Sequence, residues 1–118
     1  PLDPTFIRLY PLGHSIEHEI EKIILDLKPD AIIAGTNNFG IDALTAMKKL
    51  HQTVPLIAFD DLEWFNLLDV STIAQPLDEI FIKTVDNIMA KISGTVSNHG
   101  GKLISVHPKL IERGSTLK

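Results

Sequence analysis

The stretch Pro29-Asp30-Ala31-Ile32-Ile33-Ala34-Gly35-Thr36-Asn37-Asn38 decides the fold. Ala31 to Gly35 is short, unbroken and apolar. A strand buried on both faces reads this way, and such strands belong to parallel sheets. Lys28-Pro29-Asp30 stops whatever precedes it, because the residue before a proline is pushed out of the helical region. Thr36, Asn37 and Asn38 can each cap a helix that follows. A helix, a strand and a second helix are thus packed into little more than thirty residues.

The pattern continues in both directions. Upstream, Ile16, Ile20, Ile23, Ile24 and Leu27 form one apolar helical stripe. Ser15 offers a cap, and Glu17 and Glu19 suit the positive end of the helix. Thr5 to Tyr10 is rich in β-formers and reads as a strand. Downstream, Ile41, Leu44, Met47 and Leu50 mark a helix that ends near Lys48-Lys49. Val54 to Phe59 reads as a second buried strand, with Asp60-Asp61 at its end. Leu62 to Val70 is loop or a helical turn, and Ser71 to Ala74 a short strand. Pro76 opens a further helix with Leu77, Phe81, Val85, Ile88 and Ile92 on one face, and Gly94 closes it. Thr95 to Gly101 reads as a polar loop, and Lys102 to Val106 and Lys109 to Ile111 as strand-like. Strands alternating with helices predict an α/β layer structure, a parallel sheet flanked by helices on both faces. No internal repeat, low-complexity tract or linker divides the chain.

Composition narrows the function. The 118 residues are 44% hydrophobic and 22% charged, which is globular. No apolar run is long enough to span a membrane as a helix, and no secretory signal opens the chain. The formal net charge is −4, with 11 basic residues scattered among 15 acidic ones. This chain is therefore a poor binder of nucleic acid or of an anionic membrane. Cysteine is absent, so there is no disulfide, thiolate metal site or cysteine nucleophile, which suits a cytoplasmic protein.

In open α/β sheets, ligands bind beyond the carboxyl ends of the strands. Thr36-Asn37-Asn38 and Asp60-Asp61 fall there. A carboxylate accepts hydrogen bonds and an amide both donates and accepts, which suits hydroxyl recognition. The same residues are also ordinary caps and turn formers at strand ends. Trp64, the one tryptophan, lies close to Asp60 in sequence. It reads either as a stacking platform for the apolar face of a sugar or as a structural or oligomer contact. His14 and His18 stand one helical turn apart with no third ligand at a telling distance, so no metal or cofactor is expected. Gly100-Gly101 follows a loop rather than a strand and reads as a turn. No nucleophile elbow or kinase signature is present, and no catalysis is expected.

Several ordered signals carry a family resemblance. They are Pro29-Asp30-Ala31-Ile32, Thr36-Asn37 with its helix, Val54-Pro55, Phe59-Asp60-Asp61, Thr72-Ile73-Ala74-Gln75-Pro76 and the closing Arg113-Gly114-Ser115-Thr116. In this order, over roughly residues 15 to 117, the chain resembles the C-terminal part of LacI/GalR-type transcriptional repressors. The resemblance implies one lobe, the C-terminal one, of a periplasmic-binding-protein-like type I fold in truncated form. Residues 1–118 would then be the C-terminal part of an effector-binding and dimerisation domain. The helix-turn-helix and most of the N-terminal lobe are absent from it. It further implies that the stretch around Thr72 to Ile92 belongs to the other lobe, so that helix Pro76 to Ile92 either packs differently or is covered by a partner.

The implied effector-binding residues are Thr36, Asn37, Asp60 and Trp64. Thr36 stands where the family has Asn, and Asn37 where it has Asp. The implied homodimer contact takes in Ile41 and Leu44 of the helix and Leu62, Phe65, Leu67 and Leu68 of the loop beyond Phe59-Asp60-Asp61. So apolar a loop exceeds what solvent tolerates. The implied partners are a small effector, a sugar or sugar phosphate before a nucleobase, and a second copy. Operator DNA would be reached only through a head outside this chain. Two alternatives stand beside this reading. One is a periplasmic-type sugar-binding protein, against which the absence of export features speaks. The other is a magnesium or phosphoacceptor domain built on Asp60-Asp61, which would need a further acidic pair and a late lysine that are not evident.

Overall fold

The computed structural model describes residues 10–11, 13–95 and 103–117. Its elements in chain order are α1 (Glu17–Leu27), β1 (Ile32–Ala34), α2 (Asn37–Leu50), β2 (Leu56–Phe59), α3 (Glu63–Leu67), β3 (Ser71–Ala74), α4 (Leu77–Ile92) and β4 (Lys109–Ile111). The strand expected over Thr5 to Tyr10 lies outside the described residues except at Tyr10, as does most of the loop expected over Thr95 to Gly101. The described part of Lys102 to Val106 is not a strand.

One four-stranded sheet runs in the order β1-β2-β3-β4. The first three strands are parallel, with Ala34 beside Ala58 and Ala58 beside Thr72. β4 is antiparallel to β3, with Ile73 beside Leu110. The sheet is thus parallel as expected up to the point where the chain returns from α4.

The helices form for local reasons. The Thr36 Oγ1 accepts from the Phe39 N–H at 3.3 Å and caps α2. Lys48 and Lys49 sit in its last turn, where positive charge meets the dipole, and His51 closes it in the left-handed conformation. In α1 the cap position falls on Ile16, which has no polar side chain. An acid from the neighbouring helix takes over: Asp42 accepts from the Ile16 N–H at 2.8 Å and from the Ser15 hydroxyl at 2.9 Å. The expected Ser15 cap survives only as a 3.3 Å bond from the Glu17 N–H. Lys49 of α2 adds ion pairs to Glu17 and Glu21 of α1.

The core lies between α1, α2, α3 and one face of the sheet. Ala34, Leu56 and Ala58 supply the sheet side. Ile20 and Ile24 come from α1, and Ala43, Ala46 and Met47 from α2. Phe65 of α3, Val54 and Val70 close it. α2 meets the strands through small residues, because only these let helix and sheet approach closely. Gly40 shows the constraint. A Cβ there would stand 2.7 Å from the Phe65 ring and 3.1 Å from the Ala58 Cβ. The Phe65 ring therefore occupies the volume a side chain at position 40 would need.

The expectation of burial on both sheet faces is corrected here. In β1, Ala34 is buried but Ile33 is 70% exposed. Ile33, Ile57 and Phe59 share the face that no described helix covers, since α2 and α3 both lie against Ala58. Strand residues alternate faces, so a single covering layer buries every second one. The crossing out of the sheet is corrected too. Thr72, Ile73 and Ala74 pair within this sheet, and the chain leaves it only at Gln75-Pro76. α4 has the expected amphipathic pattern but none of its residues is buried. Phe81 is 70% exposed.

Substitution Gly40→Ala is expected to destabilise the chain by about 1–3 kcal/mol through overpacking. Chemical denaturation would show this, and the paired change Phe65→Leu should recover part of the loss.

Candidate functional site

The three parallel strands end side by side, and each is followed at once by polar residues. β1 leads to Gly35, Thr36 and Asn37, β2 to Asp60 and Asp61, and β3 to Gln75. Strand order alone makes these three ends neighbours. The sequence-predicted pair Thr36-Asn37 is therefore brought to the same sheet edge as Asp60. Thr36 is exposed, while Asn37 and Asp60 are half-buried.

The two adjacent acids have different surroundings. Asp61 turns back over the covered face. Its Oδ1 accepts from the Thr72 hydroxyl at 2.8 Å and from Arg113 Nη1 at 2.7 Å. Arg113 Nη1 also donates to the Val70 carbonyl at 2.9 Å. The Arg113 hydrogen bond holds the Asp61 carboxyl below the usual carboxylate range; partial burial opposes this and the Thr72 hydroxyl adds to it. Asp60 instead stays at the strand end with φ 68°, in the left-handed region that Asp tolerates better than most residues. Its N–H donates to the Ile73 carbonyl at 3.0 Å. Its Oδ1 accepts from Gln75 Nε2 at 2.5 Å.

The C-terminal turn fixes this arrangement. The Ser115 hydroxyl donates to the Leu56 carbonyl at 2.6 Å and accepts from the Ser71 N–H at 2.8 Å. The Ser71 hydroxyl donates to the Arg113 carbonyl at 3.0 Å, and the Arg113 N–H donates back to it at 2.8 Å. At Gly114 the missing side chain leaves room for the exposed Asp69 carboxylate, which would have to swing aside for a Cβ. Arg113-Gly114-Ser115-Thr116 is a structural stitch, in which Arg113 Nη1 and the Ser115 and Thr116 hydroxyls all bond within the chain.

Trp64 lies on α3, 46% exposed. Of the residues expected at a dimer contact, Leu67 is 77% exposed, and Leu68 and Ile41 are also open to solvent. Leu44 and Leu62 are half-buried against the core. Phe65 is fully buried and belongs to the core, so its side chain is not available to a partner. The reason is helical geometry: neighbours on a helix point to different sides, and Phe65 fills the space above Gly40 while Trp64 faces out. A recess of about 300 Å3 lies between Leu44, Met47, Val54, Leu68 and Val70. Another, of about 360 Å3, runs along α4 beside Ile104 and Val106, and none of the strand-end polar residues lines it.

Among the described residues, no three His, Asp or Glu gather where they could hold a metal ion. His18 instead faces Glu21 at 3.5 Å. No described helix is long and apolar enough to cross a membrane. Gln75 and Arg113 were not singled out as individual residues by the sequence reading. Their signal lay within the Thr72 to Pro76 and Arg113 to Thr116 motifs, but a motif does not say which polar groups point at each other.

A parallel sheet whose strand ends present a carboxylate, an amide and a hydroxyl is of the kind that binds small polar ligands. Comparison with known proteins adds relatives in sequence and in fold. No protein-family profile matches the chain. The HTH-type transcriptional regulator PtxS of Pseudomonas plecoglossicida is 30% identical over 86 residues, which is 65% of this chain and 25% of the relative. A LacI family transcriptional regulator from Arthrobacter sp. FB24, solved in complex with lactose, superposes with TM-score 0.77 at 20% identity over 86% of this chain and 40% of that one. A probable transcription regulator from Thermus thermophilus superposes with TM-score 0.68 at 20% identity, covering 86% of this chain and 41% of that one. The chain thus spans about a quarter of the PtxS relative's length and about two fifths of these structures. Sequence and fold agree in direction: the chain is similar in sequence to a quarter of one transcriptional regulator and shares its fold with about two fifths of two others.

The Asp61–Arg113 pair should leave a signature in acid. Unfolded Asp titrates near about 3.9 and folded Asp61 lower, so the pair contributes its full stability above the first value and loses it as pH falls through the second. Urea midpoints are expected to fall as pH drops below about 3.9, and to fall less in Asp61→Asn.

Proposed function

We propose that this chain is the ligand-sensing and dimerising part of a LacI-type transcriptional regulator, and that it binds a small polar effector at the carboxyl ends of β1 and β2 without chemical turnover. The observation that carries this is the division of labour between the two acids. Asp61 is committed to Arg113 and Thr72, whereas Asp60 stands at the end of β2, the strand next to β1, whose end Asn37 follows. A carboxylate with an adjacent amide and hydroxyl can accept from and donate to neighbouring hydroxyls of one ligand. A sugar or sugar phosphate fits this set first and a nucleobase second. The lactose bound to the Arthrobacter regulator favours the first. In this reading Trp64 stacks on the apolar face of the sugar.

The uncovered surfaces fit a chain that continues into a larger regulator. The open sheet face with Ile33 and the open apolar side of α4 would pack against the second lobe, which residues 1–118 largely lack. Ile41, Leu67 and Leu68 would meet a second copy, with Leu44 and Leu62 supporting them from beneath. An effector held between lobes would favour one lobe arrangement, and the dimer would pass that population shift to DNA-binding heads outside this chain.

Two measurements test this. Asp60→Ala is expected to weaken binding of lactose or another sugar that the full-length protein takes up by about 10- to 100-fold in calorimetry, since a hydrogen bond to a charged group is lost. Unchanged affinity would remove Asp60 from the site. In sedimentation, Leu67→Glu and Leu68→Glu together should weaken self-association at least about tenfold. A protein monomeric at tens of micromolar before substitution would end the dimer proposal.

A further inference from the structure

We propose that Gln75 is a positioning residue for Asp60, and that their hydrogen bond ties the candidate effector carboxylate to the point where the chain leaves the sheet. This rests on the reading of Asp60 given above. Three observations converge on it. First, the Asp60 backbone is fixed by its left-handed conformation and by its N–H bond to Ile73, which leaves the carboxylate rotation as the remaining freedom. The Gln75 Nε2 donates to Oδ1 at 2.5 Å and removes that freedom. Oδ2 is left to accept from a ligand. Second, the two residues are 15 apart in sequence and are brought together only by the pairing of Phe59 with Ile73 at the ends of β2 and β3. Third, Gln75 is the first residue beyond β3, followed by Pro76 and a helix with no buried residue. β4 returns beside it, with Lys109 opposite Ala74. Any rotation of α4 about this exit acts first on Gln75 and through it on Asp60.

Glutamine is suited to the task. Its amide donates to a carboxylate without adding charge, whereas glutamate would set a like charge against Asp60 and leucine would offer no donor. A purely structural role predicts a different outcome. A solvent-exposed side-chain hydrogen bond contributes little to stability, so removing it leaves the fold intact. Binding and stability are then separable readouts.

The experiment compares Gln75→Leu, Gln75→Glu and Asp60→Ala with the wild type in the full-length protein. Calorimetry is run with lactose, glucose and galactose, with melting curves and NMR alongside. Gln75→Leu is expected to keep Tm within about 2 °C and to weaken binding of the accepted sugar by about 3- to 10-fold, with Gln75→Glu weaker still. The Asp60 carboxyl-carbon resonance should move in Gln75→Leu, and the Gln75 side-chain amide resonances in Asp60→Ala. If Asp60→Ala loses the sugar while Gln75→Leu binds as the wild type does, the positioning role is overturned and the site reading stands. If neither substitution changes binding, the site reading fails and the proposal with it. If none of the three sugars binds, the reciprocal resonance shifts decide: their presence supports the tie and their absence overturns it.

Discussion

Ser115 joins two parallel strands from outside the ladder, donating to Leu56 in β2 and accepting from Ser71 beside it in β3. The adjacent Arg113 reaches Asp61, Thr72 and the Val70 carbonyl with one nitrogen. Much of the chain depends on this seam. It places the segment after β2, and hence α3, over the sheet. It also pairs the charge of Asp61, which is why two adjacent aspartates have different partners, Arg113 for one and Gln75 for the other. Buried polar groups must be paired, and here the pairing partners come from the far end of the chain. The strand edges therefore close only once the C-terminal turn has docked.

The second constraint is steric. α2 approaches the sheet through Gly40, Ala43 and Ala46, and Phe65 fills the gap that Gly40 leaves. This sets the orientation of α3. Its inward residue completes the core, while Trp64, Leu67 and Leu68 are turned to solvent. The same packing that stabilises the lobe thus creates the apolar outer surface assigned here to a second copy and a stacking platform.

Most elements were legible in the sequence because their signals are local. The stripe of α1, the run Ile32 to Ala34 and the amphipathic pattern of α4 state their own type. Three things were not legible. Ser15 looked like the cap of α1, but Asp42 of another helix performs most of that task. The apolar run of β1 implied two covered faces, but a run of hydrophobic residues records that a surface needs covering, not what covers it. Phe65 looked like a surface residue among Leu62, Leu67 and Leu68, since an apolar cluster in a loop does not reveal which member points inward.

The sequence by itself determined the alternation of helices and strands, the placing of Thr36, Asn37 and Asp60 at strand ends, and the acidic charge balance. Periodicity and the positions of Pro, Gly and Asn are enough for that, because they act within a turn or two of chain. Only the tertiary structure decided that Asp61 meets Arg113 while Asp60 meets Gln75, and that Arg113 and Ser115 bond across the sheet. Those facts rest on hydrogen bonds between residues 15 to 59 positions apart, and such pairings exist only once the strands have found their register.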